Sequence, residues 1–238
     1  MRFLPAGDQA VVVEFGSVID PEINALVHRA AAAIDASDID GVLEMVPTYR
    51  SLLVYYDPLE VSLHELQEQI SGLAIVADEI RDEFRIVEIP TLYGGEHGPD
   101  LEFVAQNAGM AESEVIALHS GTDYLVYTMG FSPGFPYLGG LDMRLHTPRL
   151  PSPRTLIPAG SVGIAETQTG VYPVASPGGW RLIGRSPLRL FDPLASPPTV
   201  INAGDRVRFV PLDDEAAYDD IDRQVKEGTY SAITRVGR

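Results

Sequence analysis

The chain has 238 residues, 45% of them hydrophobic, no cysteine, and a formal net charge of −17. The missing cysteines exclude disulfides, thiolate catalysis and Cys-ligated metal sites. The negative charge, with no Lys/Arg patch to offset it, argues against nucleic acid as a partner.

The N-terminal segment MRFLPAGDQAVVVEFG has no long apolar stretch before Asp8, so no signal peptide is expected. No apolar run of about 18 residues follows, and a cytoplasmic protein without a membrane partner is expected. Gln9 to Phe15 reads as a buried strand. Asp20 and Pro21 form a helix start, and Ile23 to Ile34 continues it as an Ala-rich amphipathic run. Gly41–Pro47 and Ser51–Tyr56 read as strands. Ser62 with Glu65 has capping-box spacing for a helix that Gly72 ends. Phe84–Ile89 is a further strand. The order strand, helix, strand, strand, helix, strand is that of a ferredoxin-like α/β domain, assigned to residues 1–83.

Beyond a turn-rich passage, Pro99–Gly109 and Ala111–His119 read as helices and Tyr124–Met129 as a strand. Gly and Pro then recur to about Pro198, with short strands at Ser161–Ala165, Gly170–Val174, Trp180–Gly184 and Leu188–Leu190. Arg206–Val210 is a strand, Asp213–Lys226 a closing helix, and the last dozen residues are expected to dock loosely. Residues 84–238 thus predict an irregular β-barrel or sandwich, and the chain as a whole is α+β.

Chemistry-bearing residues are few. The five histidines are scattered without HExxH or related spacing, so no metal site is expected. His119, just before a Gly turn, is either a catalytic group or a capping and packing residue. Asp142 and Glu166 are either bases or turn residues. No GxxxxGK[ST] or GxGxxG sequence occurs, so no complete nucleotide site is expected in this chain, and Ser132, in GFSPG, lies beside Pro and reads first as a turn residue. The aromatics of FSPGFPYLGG, namely Phe131, Phe135 and Tyr137, either line a pocket or fill the barrel. Arg149, Arg154, Arg181, Arg185 and Arg189 cluster in an otherwise acidic chain and suit a carboxylate or phosphate. Arg154 and Arg181 are the favoured functional pair.

YTMGFSPGFPYLGGLD and PRLPSPRTLIPAGSVGIAETQTGVYPVASPGGWRLIGRSP together resemble the family of 5-oxoprolinase B subunits. That family also takes in the Kip-type inhibitors of a sporulation histidine kinase and proteins named allophanate hydrolase subunit 1. It is similar, too, to half of the carboxyltransferase part of urea carboxylase. The resemblance implies a cyclophilin-like β-barrel over residues 84–238. It implies a role with A and C subunits in hydrolysing 5-oxo-L-proline to L-glutamate at the expense of ATP, which would be held with Mg2+ wholly or partly by the partners. Alternative readings are a binding protein that inhibits a sensor histidine kinase, or a subunit in urea or allophanate metabolism.

Motif positions carried over are Phe131, Phe135, Tyr137, Ser161, Gln168, Tyr172 and Trp180 as candidate substrate contacts. Gly178 and Gly179 are candidate nucleotide contacts, and His119, Arg154 and Arg181 candidate catalytic groups. Two positions depart from the family pattern. Glu166 stands where members commonly carry a small residue, often Gly, and Pro148-Arg149-Leu150 replaces Pro-Arg-Arg.

Overall fold

A computed structural model describes residues 1–75 and 84–237. The chain divides into two compact units, Met1–Asp82 and Glu83–Arg238. The predicted domain boundary at residue 83 lies outside the described residues.

The first unit runs β1 (Arg2–Pro5), β2 (Ala10–Glu14), α1 (Pro21–Ala36), β3 (Val42–Pro47), β4 (Ser51–Tyr56) and α2 (Leu63–Gly72). Local chemistry sets both helix starts. The Asp20 carboxylate accepts from the N–H groups of Glu22 and Ile23, and Pro21 sits where no N–H is needed. Ser62 and Glu65 close the predicted capping box. The four strands form an antiparallel sheet in the order β1-β2-β4-β3. Its apolar face, with Val11, Val13, Leu52 and Val54, packs against Val27, Ala30, Ile34, Leu66 and Ile70.

The predicted strand at Phe84–Ile89 does not join this sheet. It belongs to the second unit, and Arg2–Pro5 takes an edge of the first sheet instead. A strand's own residues specify its faces, but not which sheet supplies its ladder partners.

The second unit continues with β5 (Phe84–Tyr93), α3 (Leu101–Ala108), α4 (Glu112–Ser120), β6 (Tyr124–Met129), β7 (Pro136–Gly139), β8 (Arg154–Ile157), β9 (Ser161–Ala165) and β10 (Gln168–Val171). It ends with β11 (Ser176–Gly178), β12 (Arg181–Arg185), β13 (Arg206–Pro211), α5 (Glu215–Glu227) and β14 (Thr234–Gly237). Seven strands close into a barrel in the order β12-β9-β10-β7-β6-β13-β5, with β12 returning to β5. β13 and β5 are parallel; the other pairs are antiparallel.

The ten residues of β5 make closure possible. Its first half carries β14 and its last two residues pair with β12. At that seam Gly184 faces Tyr93, and a Cβ there would lie 2.8 Å from the Leu92 carbonyl oxygen. Only glycine lets the two strands come this close.

β14 also ties down the C-terminal residues expected to dock loosely. Leu188–Leu190, a predicted strand, is largely buried but forms no ladder. The barrel is filled by Val87, Ile89, Val126, Leu138, Ile164, Val207 and Phe209, each 1% exposed or less. Burial of such side chains contributes about 1.5–3 kcal/mol apiece. β8 and β11 form a separate two-stranded ribbon, and the loop geometry around it creates the site below.

Candidate functional site

A cavity of about 310 Å³ opens in the second unit, lined by Phe131, Phe135, Tyr137, Arg149, Pro153, Tyr172, Pro177, Gly178, Gly179 and Trp180. It lies at the small end of the ~300–1,000 Å³ range of ligand pockets.

The floor is aromatic. Phe135 is 2% exposed and stands edge-on to four rings, with centroids 5.2 Å away at Tyr137, 5.3 Å at Tyr172, 5.6 Å at Phe131 and 5.7 Å at Trp180. Edge-to-face contacts of this kind hold rings in fixed orientation. Phe131 sits at the rim, 65% exposed, on backbone with φ of +65°. This left-handed conformation turns the chain between β6 and β7, and it is uncommon for a bulky residue. The back wall is the ribbon. Within it Gly178 packs so tightly that a Cβ would sit 2.6 Å from Tyr172 Oη and 2.7 Å from Ile157 Cδ1.

The cavity's polar groups are sparse. Burial raises the Tyr172 hydroxyl to about 12, and the positive charges of Arg149 and Arg154 oppose that rise. At neutral pH the hydroxyl is a neutral donor. The Arg149 guanidinium lies over the Trp180 ring, 6.0 Å from its centroid.

Five of the seven predicted substrate contacts meet here: Phe131, Phe135, Tyr137, Tyr172 and Trp180. Gly178 and Gly179 join them. Ser161 and Gln168 lie elsewhere on the barrel wall, on β9 and β10. Arg154 and Arg181 stand behind the wall and converge on Asp100, which is 7% exposed. Arg154 Nη1 is 2.9 Å from Asp100 Oδ2, and Arg181 Nη1 is 3.8 Å from Oδ1. Asp100 also accepts the Leu182 N–H at 2.7 Å, and Arg154 Nη1 reaches the Trp180 carbonyl at 3.4 Å. Arg181 is stacked over Phe103, 3.6 Å from the ring centroid. This cluster fastens the strand that follows Trp180.

His119 is fully buried in the barrel core, outside the cavity. Thr169 Oγ1 donates to the Gly163 carbonyl at 3.1 Å and therefore accepts from His119 Nε2–H at 2.8 Å. His119 Nδ1 then accepts the Tyr93 hydroxyl at 2.7 Å. Burial depresses the imidazole to about 3, so it is neutral. Asp142 caps a short 3₁₀ turn and pairs with Arg144. Glu166 has φ of +52°, a region that favours glycine, and pairs with His146.

The sequence groups Arg149 with its neighbours without singling it out, and nothing in it points to Asp100. Membership of the arginine cluster is the one signal for the first. For Asp100 there is none, since its partners lie 54 and 82 residues away in sequence.

A seven-stranded barrel in one chain with a small α+β unit is a fold shared with known proteins. The family described as "Carboxyltransferase domain, subdomain C and D" matches residues 1–201, and the chain belongs to it. Among its relatives, the B subunit of 5-oxoprolinase from Bacillus subtilis is 48% identical over 88% of this chain and 92% of its own length. In crystal structures, PH0987 of Pyrococcus horikoshii superposes with a TM-score of 0.55 at 49% identity, over 91% of this chain and all of that one. TTHA0988 superposes with a TM-score of 0.77 at 38% identity, over 87% of this chain. The chain spans 40% of TTHA0988.

Proposed function

We propose that the chain is the B subunit of an ATP-dependent 5-oxoprolinase, a cytoplasmic lactam hydrolase that converts 5-oxo-L-proline to L-glutamate together with A and C subunits. The observation that carries this reading is the 48% identity to the Bacillus subtilis protein along 92% of that protein's length. The cavity supports it, because its aromatic floor suits the apolar edge of a small ring and its volume suits a compact molecule.

A lactam is an unreactive amide, and the coupled cleavage of ATP supplies the drive. The cavity, at about 310 Å³ with a single guanidinium in its lining, does not fit a nucleoside triphosphate. Among the described residues no three His, Asp or Glu side chains converge as a metal site. The smallness of Gly178 is accounted for by its packing on Tyr172 and Ile157. We assign ATP and Mg2+ wholly or partly to partner surfaces. This chain contributes binding and orientation: rings that hold the substrate and exclude water, and the Tyr172 hydroxyl as a fixed donor. Its barrel, read as cyclophilin-like, serves as scaffold without isomerase activity.

Reconstitution tests the proposal. The three subunits together form glutamate from 5-oxoproline and ATP, and omission of this chain abolishes it. Glutamate formation at an unchanged rate without this chain overturns the reading.

A further inference from the structure

We infer that the cavity selects a small ring-bearing monocarboxylate, and that Arg149 is the residue that reads the carboxylate. The inference deepens the proposed function and rests on it for the choice of ligand.

The arginines of this region differ in what already occupies them. Arg154 and Arg181 share Asp100, Arg144 holds Asp142, and Arg189 holds Asp192. Among the described residues no Asp or Glu pairs with Arg149. Arg185 also lacks a carboxylate among those residues but donates to the Ala159 carbonyl away from the cavity, whereas Arg149 lines the cavity and leaves a cation facing it. Stacking over Trp180 restrains the guanidinium plane without using its N–H donors. A planar fork held this way matches a carboxylate through two parallel hydrogen bonds.

The remaining lining fits the rest of such a ligand. It contains no acidic side chain, so a cationic ligand gains no partner and an anionic one meets no repulsion. Phe135, Tyr137 and Trp180 offer apolar faces for a ring, and Tyr172 offers one neutral hydroxyl within the field of Arg149. One cation among otherwise neutral lining side chains specifies a single carboxylate on a small, otherwise uncharged body.

Trp180 is the only tryptophan in the chain, so its fluorescence reports occupancy of the cavity. The full chain is titrated with 5-oxo-L-proline and with 2-pyrrolidinone, the same lactam without the carboxylate. Calorimetry runs in parallel, because substituting Arg149 changes the indole's own surroundings. Expected is saturable binding of 5-oxoproline, with 2-pyrrolidinone weaker by about tenfold or more, the scale of a charge-assisted hydrogen bond. Arg149→Gln removes the preference and Arg149→Lys restores part of it. Equal binding of both ligands by the wild-type chain, a preference that survives in Arg149→Gln, or no binding overturns the inference.

The two readings fail separately. If reconstituted activity needs this chain but the KM for 5-oxoproline is unmoved by Arg149→Gln, the carboxylate assignment falls and the subunit role stands. If glutamate forms without this chain while the Arg149-dependent preference persists, the subunit role falls and the carboxylate site stands.

Discussion

The barrel contains two aromatic clusters built from similar residue types, and they differ in what their polar atoms touch. Around His119, the rings of Tyr93, Tyr124 and Phe209 lie with centroids 4.5–5.7 Å from the imidazole. Both imidazole nitrogens and the Tyr124 hydroxyl are bonded within the core. Around Phe135, rings at similar spacing leave a cavity, with a hydroxyl and a guanidinium at its margin. The first cluster is closed and satisfied, so it serves stability. The second keeps polar capacity for something outside the chain. Aromatic content alone does not separate the two; the hydrogen-bond partners do.

The largest effects should come from breaking the closed cluster. His119→Ala removes a fully buried ring and strips Tyr93 and Thr169 of a partner, for an expected loss of about 3–5 kcal/mol in urea denaturation. Binding at Trp180 should survive wherever the variant remains folded.

The same residue gives a pH signature. Folded His119 titrates at about 3, below the ordinary value of an unfolded histidine near 6.5. Between these values the unfolded chain takes up a proton that the folded chain refuses. Stability from this source is complete above about pH 6.5 and falls as the pH drops toward 3, by up to ~1.4 kcal/mol per unit. The wild type should therefore lose about 1–2 kcal/mol more than His119→Gln between pH 7 and pH 5. Parallel losses in the two proteins would show that His119 is not held neutral by burial.

Next in size is the hub that joins the barrel to the cavity wall. Asp100→Ala leaves Arg154 and Arg181 without their shared carboxylate and the Leu182 N–H without its acceptor. Losing one partner of a buried ion cluster costs about 3 kcal/mol or more. Because Arg154 also reaches the Trp180 carbonyl, the variant should shift Trp180 emission before any ligand is added. Unchanged emission would show that the cluster does not position this wall.

What the sequence made legible follows the range of the interactions involved. Asp20 with Pro21 and Ser62 with Glu65 act within one helical turn, and both helices begin where those residues predict. Tyr124–Met129, Ser51–Tyr56 and Ser161–Ala165 carry enough β-branched and aromatic residues to mark their own ends. Arg2–Pro5, Pro136–Gly139, Ser176–Gly178 and Thr234–Gly237 are short and contain Pro or Gly, and distant partners make them strands. Leu188–Leu190 shows the converse: apolar and largely buried, yet without a ladder. At the site, the family motif brought five aromatics into view. The difference between Arg149 and Arg154 stayed hidden because it depends on which carboxylate the fold delivers.

The smallest expected effect is also the finest test of the contrast between the clusters. Gly178 is where the ribbon meets the open cluster, and Gly178→Ala would place a methyl 2.6 Å from Tyr172 Oη and 2.7 Å from Ile157 Cδ1. Both neighbours must give way, and overpacking of this kind costs about 1–3 kcal/mol. Ile157 is fully buried and Tyr172 is wedged against Phe135, so the softer response is a shift of Tyr172 toward the cavity. That shift narrows the cavity and moves its hydroxyl relative to Arg149. Affinity for 5-oxoproline should fall severalfold while the pH dependence set by His119 stays as in the wild type, since the two clusters share no ring. A variant that lost the His119 signature but kept its ligand affinity would mean that strain passes through the barrel wall, and that the two clusters form one packed unit.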